Sequence, residues 1–141
     1  MILSLPWLVI AIVLYNLIAF SSSWPADALA PNVFDTELLT VGMLSGGIWK
    51  LTVGDLVILI TLTLLFIELI KATRTGGSSI VDHALSMLLF MICIVEFLAV
   101  RQASTSVFFF ILFVTLIDVV AGFSITIRGA RRDFGGIGAN T

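Results

Sequence analysis

Three carboxylates interrupt apolar runs long enough to cross a bilayer: Glu68, Glu96 and Asp118. An ionisable group near the middle of a span costs at least about 2.5–3.5 kcal/mol on insertion scales, so each marks either a functional site or a deliberate packing contact. The chemistry open to them is proton or cation handling, or hydrogen bonding between helices. Glu68 stands three residues before Lys71, the spacing of an i,i+3 ion pair. Glu96 has Arg101 beyond it and Asn16, from the first apolar run, at similar depth. Asp118 follows an uncharged run from Ala103 to Ile117. Arg128, the next base, is about 15 Å further along a helix axis, too far for a direct pair. Thr115 and Gly122 share the helical face of Asp118, which suits close helix packing.

A second pattern surrounds these acids. Asp82, Ser86, Leu89, Cys93 and Glu96 follow at steps of four, three, four and three, so they share one helical face. Hydrocarbon does not tolerate that face, which must look into the protein or line a cavity. It reads either as a polar seam gluing a bundle or as a wet path, and the excess of acids over bases within the spans would favour cations. His83, beside a loop, reads as an interfacial hydrogen-bonder. Cys93, at mid-span, is a small packing residue. Two acids have a plainer use. Thr52-Val53-Gly54-Asp55 and Ser79-Ile80-Val81-Asp82 both fit the S/T-x-x-D/E pattern that caps a helix start.

The elements that position these groups follow from composition. Of 141 residues, 60% are hydrophobic and 11% charged, and the mean hydropathy is +1.20. A soluble domain runs at about 25% charged, so the chain reads as an integral membrane protein. The net charge of −2 and the lack of a long basic run disfavour nucleic acid as a partner. One cysteine excludes an internal disulfide and a cysteine-rich metal site. About 20 apolar residues span the hydrocarbon core, and four stretches qualify: roughly 2–20, 53–70, 80–100 and 105–127. The expected fold is all-α: a single four-transmembrane-helix bundle with an outer loop over 21–52 and a tail over 128–141.

Within the outer loop, Glu37–Leu44 and Ile48–Val53 flank Ser45-Gly46-Gly47, which reads as a β-hairpin. The competing reading is a short helix from Asn32, with Asp35 and Glu37 in its first turn and Phe34, Leu38 and Val41 on one face. Gly42 and the β-branched residues favour the hairpin. Ala28-Leu29-Ala30 looks like a signal-peptide cleavage site, but the N-terminus lacks positive residues and the apolar stretch is too long, so the first segment is kept as a membrane helix. Gly76-Gly77-Ser78 supplies a loop, and the glycine-rich end after Asp133 reads as a flexible tail.

Five of seven basic residues (Lys71, Arg74, Arg128, Arg131, Arg132) fall on one side of the spans, and only Lys50 and Arg101 on the other. The positive-inside rule then places both termini in the cytoplasm and the acidic first loop outside, in an inner (plasma) membrane. Gly54-Asp55 matches the Gly-Asp pair of intramembrane aspartyl proteases, but the rest of that motif and a second catalytic aspartate are missing. Phe66-Ile67-Glu68 is similar to the Phe and acid of a voltage-sensor domain over these few residues only, and the fourth span lacks arginine at every third position. No phosphate loop, metal-spaced His/Cys cluster or nucleophile motif is present, so neither an enzyme nor a cofactor is expected. The reading is an accessory, scaffold or assembly component of a larger membrane complex, in contact with the lipid bilayer and with a membrane-protein partner or copies of itself. The alternative is a small proton or cation channel or carrier built on the intramembrane acids.

Overall fold

The computed structural model describes residues 5–25, 27, 30–74 and 79–137; within these, the side chains of residues 74, 79, 80, 126 and 128–137 lie outside the description. The chain is mostly helical. Four helices, α1 (Leu8–Ser21), α2 (Val53–Arg74), α3 (Ser79–Ala99) and α4 (Ser106–Ile137), carry one antiparallel hairpin of β1 (Glu37–Gly42) and β2 (Ile48–Thr52) between α1 and α2. Three helices contain stretches long and apolar enough to cross a membrane: Val53–Thr73, Val81–Ala99 and Ser106–Ile125. The chain is a multi-pass membrane protein. Leu62, Phe66, Leu88, Val95, Phe113 and Val120 are among the large apolar side chains exposed on these helices, as lipid contact requires.

Helix α1 is shorter than its apolar stretch. It has 14 residues, about 21 Å at about 1.5 Å per residue, and starts at Leu8 rather than Ile2; residues 1–4 lie outside the description. Pro6 and Trp7 supply the carbonyls of the first turn, accepting from Val9 N at 3.1 Å and Ile10 N at 3.0 Å. At the other end the hydroxyls of Ser21 and Ser22 donate back to the Ile18 carbonyl at 3.0 and 3.3 Å. Such back-bonds compete with the next helical turn, and Pro25 follows shortly.

The hairpin forms where the loop sequence alternates around a glycine turn. Its register pairs Leu39 with Leu51, Thr40 with Lys50 and Val41 with Trp49, with a bulge at Leu38 between Glu37 and Leu39. Met43 N donates to Gly47 O at 2.8 Å and Gly46 N to Met43 O at 3.0 Å, and Gly46 takes φ 81°, the left-handed position that closes a three-residue hairpin loop. The Asn32 helix signal is spent on a single 3₁₀ turn, Val33–Asp35. There the Asn32 side chain accepts from Phe34 N at 2.9 Å, and Asp35 accepts from Asn32 N at 2.8 Å.

Helix α4 is the central element: both α2 and α3 pack along it, while α1 packs chiefly on α2 and only lightly on α4. The core at the hairpin end is aromatic. Tyr15 stacks on Phe34 at 4.4 Å between centroids and meets Phe108 edge-on at 4.9 Å. The Tyr15 hydroxyl, in turn, donates to Gln102 O at 2.7 Å and shares a hydrogen bond with Thr105 Oγ1 at 2.7 Å, fixing α1 to the α3–α4 turn. Thr105 also caps α4, accepting from Phe108 N at 3.1 Å. Beyond residue 127, α4 continues as helix through Ile137. Its Arg128–Arg132 segment is rich in Arg and Ala, which are strong helix formers, so the tail expected from 128 starts as helix, and only residues 138–141 lie outside the description.

Candidate functional site

At the end of the bundle opposite the hairpin, Glu68 and Lys71 of α2, Asp82, His83 and Ser86 of α3, and Asp118 and Gly122 of α4 line one small enclosed cavity. Its volume of about 10 Å³ is at the lower edge of what one water needs. Each side chain reaches this place from a helix start or helix interior. Glu68 lies about four turns into α2, Asp82 in the first turn of α3, and Asp118 in the middle of α4.

Glu68 is the most heavily used of the acids. Its Oε1 pairs with Lys71 Nζ at 2.7 Å, and its Oε2 accepts from Trp7 N at 2.8 Å. Lys71 Nζ donates in addition to Leu5 O at 3.3 Å. Both side chains are well covered, at 6% and 11% exposure. One carboxylate and one ammonium therefore satisfy backbone groups at the N-terminal end of α1, which has no side-chain cap of its own.

Asp118 is buried and hydrogen-bonds Ser86 of α3, within the electrostatic reach of Glu68, Lys71 and His83. Beside it the His83 ring lies against Gly122: a Cβ there would stand 2.6 Å from His83 Nδ1, so only glycine admits the ring at this distance. Phe123 lines the other side, 5.5 Å from His83 between centroids. Asp82 is 9% exposed, and its Oδ1 is buried without a hydrogen-bond partner among the described residues. Counted by type, three carboxylates face Lys71 and His83.

The remaining sequence candidates separate from this cluster. Thr52 and Asp55 form a reciprocal cap at the start of α2: Asp55 N donates to Thr52 Oγ1 at 3.2 Å and Thr52 N to Asp55 Oδ2 at 2.9 Å. The side chain of Ser79 lies outside the description, as do residues 76–78, so the cap expected there stays an expectation. Cys93 is fully buried in the middle of the α3–α4 interface and faces the Thr115 hydroxyl, which donates to Leu112 O at 2.7 Å. Glu96 does not join the cluster. It lines a shallow apolar groove on α3 with Met91, Ile92, Val95, Ala99 and Val100, near Tyr15. Arg101 donates to Pro25 O at 2.8 Å, tying the α3–α4 turn to the first loop. The α3 seam is thus polar at both ends and closed by buried Leu89 between Ser86 and Cys93.

Comparison with family models, curated proteins and solved structures finds no match to this chain.

The Glu68–Lys71 pair is visible in the sequence as an i,i+3 spacing. The entry of the chain before α1 is not, because Trp7 N and Leu5 O take part through main-chain groups that carry no signal by residue type. Asp82 and His83, expected at a cap and at the interface, also line this cavity. Gly122 on the Asp118 face was the available clue that a bulky group from another helix comes close there.

Proposed function

We propose that this chain is a non-enzymatic four-span protein of the inner (plasma) membrane, with both termini cytoplasmic, that serves as an accessory, scaffold or assembly component of a larger membrane complex. The observation that carries this reading is the way the polar groups are spent. Glu68, Lys71, Ser86 and Asp118 bond across α1, α2, α3 and α4 around a cavity no larger than one water. Toward the hairpin end, buried Leu64, Leu65, Leu89, Ile111 and Val114, and then the Tyr15–Phe34–Phe108 cluster, fill the interior. A bundle locked in this way supports a binding role better than passage of a solute. The fourth span is α1: Trp7 at its start bonds Glu68, and its Tyr15 reaches the aromatic cluster toward the hairpin end.

Purification from native membranes in mild detergent tests the proposal. A large membrane protein retained at fixed stoichiometry supports it. A lone monomer or homo-oligomer after crosslinking in intact membranes contradicts it. One observation favours the alternative of a small proton or cation carrier: Asp82, whose Oδ1 is buried without a hydrogen-bond partner among the described residues, lines the same cavity as Asp118.

A further inference from the structure

The hairpin has two unlike faces. Side chains alternate along a strand, and directly paired residues share a face. The register therefore puts Leu39, Val41, Trp49 and Leu51 on one face and Glu37, Thr40, Lys50 and Thr52 on the other, where Ile48, paired with Gly42 beside the turn, is the one exposed large apolar side chain among these paired residues. On the polar face Lys50 is ion-paired to Glu37, leaving it without net charge. On the apolar face Leu39 is 50% exposed and Trp49 48%. Leu44, at the tip, is fully exposed. A two-stranded hairpin is marginal in water by itself, and among the described residues none of its apolar face joins the buried core.

We infer that this face lies on the lipid surface, in the headgroup region on the side of the membrane where α2 begins. Three features argue for lipid as the occupant. The first is continuity with the lipid-contacting helices: β2 ends at Thr52, which is itself the cap of α2, so no linker separates the hairpin from the apolar run that starts at Val53. The second is a fixed base. Val53 N donates to Thr36 O at 3.0 Å, and Phe34 is buried against Tyr15 with its backbone so close that a Cβ on Gly54 would stand 3.1 Å from Phe34 O. The hairpin is held at the end of the bundle and cannot swing far from the membrane. The third is composition: a tryptophan among aliphatic residues, opposite a Lys/Glu face, matches the amphipathic surface that settles at a membrane interface.

The test uses the full-length protein with Trp7→Phe and Trp24→Phe, leaving Trp49 as the sole tryptophan, in phosphatidylcholine vesicles. Some vesicles carry lipids brominated at graded acyl depths, and others iodide on both sides of the membrane. The inference expects strong quenching of Trp49 by bromines nearest the headgroup, falling with depth, together with shielding from iodide. Adding Val41→Asp to the same protein should reverse both effects while circular dichroism shows the helices intact. Quenching by iodide without quenching by lipid would overturn the inference, because the hairpin would then stand in water. Shielding from both quenchers would also overturn it, because protein would then cover the face.

Discussion

The backbone N–H of Trp7 donates to Oε2 of Glu68 at 2.8 Å, across 61 positions of sequence. That bond makes a side chain in the interior of one apolar helix the acceptor for the open start of another. It explains how α1 begins without a capping side chain and why an acid is tolerated in α2. A carboxylate satisfied by an ammonium and an amide has exchanged hydration for two fixed partners.

Removing one member of that pair strands the other. Glu68→Gln should lower stability by about 3–5 kcal/mol, the usual cost of leaving a buried charge unpaired. The double substitution Glu68→Gln with Lys71→Met should recover much of the loss. Thermal or steric-trap unfolding of the purified protein measures both. A double variant as unstable as the single one would contradict the pairing.

Gly122→Ala places a methyl within 2.6 Å of the His83 ring. Overpacking of this kind typically costs about 1–3 kcal/mol, and the gain in helix propensity of about 1 kcal/mol works against it. The expected result is a net loss that His83→Ser relieves in the double variant, read by the same unfolding assay.

The acids Asp55 and Asp82 should behave oppositely. Asp55→Asn weakens a formed cap and should cost about 0.5–2 kcal/mol. Asp82→Asn removes negative charge from an oxygen that has no hydrogen-bond partner among the described residues, so it should leave stability unchanged or raise it. A destabilising Asp82→Asn would show that the carboxylate is held, by the expected cap with Ser79 or by a cation or proton network.

On the hairpin, Lys50 holds the Glu37 carboxyl below its ordinary value of 4.5, chiefly through their hydrogen bond. A depressed acid contributes to pairing above its unfolded value and loses that contribution as pH falls through its folded value. Carbon-detected NMR titration of Glu37 should therefore give a midpoint below that of the Lys50→Met variant. Equal midpoints would contradict the ion pair.

Much of the architecture is legible in the residues themselves. Three long spans, the hairpin and its glycine turn, and the Thr52–Asp55 start of α2 all follow from local periodicity, turn chemistry and capping, which act over a few residues. The cluster does not, because it depends on which helices are neighbours. Asp118 looked isolated along its own helix, where Arg128 is too far, yet Ser86 reaches it from α3. Leu5 and Trp7 take part through main-chain atoms common to every residue type. The polar face of α3 was visible as a repeat, but its division into a buried cluster around Asp82 and a groove around Glu96 depends on how far α4 covers it.

Ion flux through the reconstituted protein tests the central claim, that the intramembrane acids lock helices together rather than carry a solute. Proton and monovalent-cation flux should be compared for wild type, Asp118→Asn and protein-free vesicles. The account predicts no flux above protein-free vesicles for either protein, with Asp118→Asn folded and abundant because an amide keeps both the size and a hydrogen-bonding group toward Ser86. A robust wild-type flux that disappears in Asp118→Asn would contradict it and make the cluster a transport site.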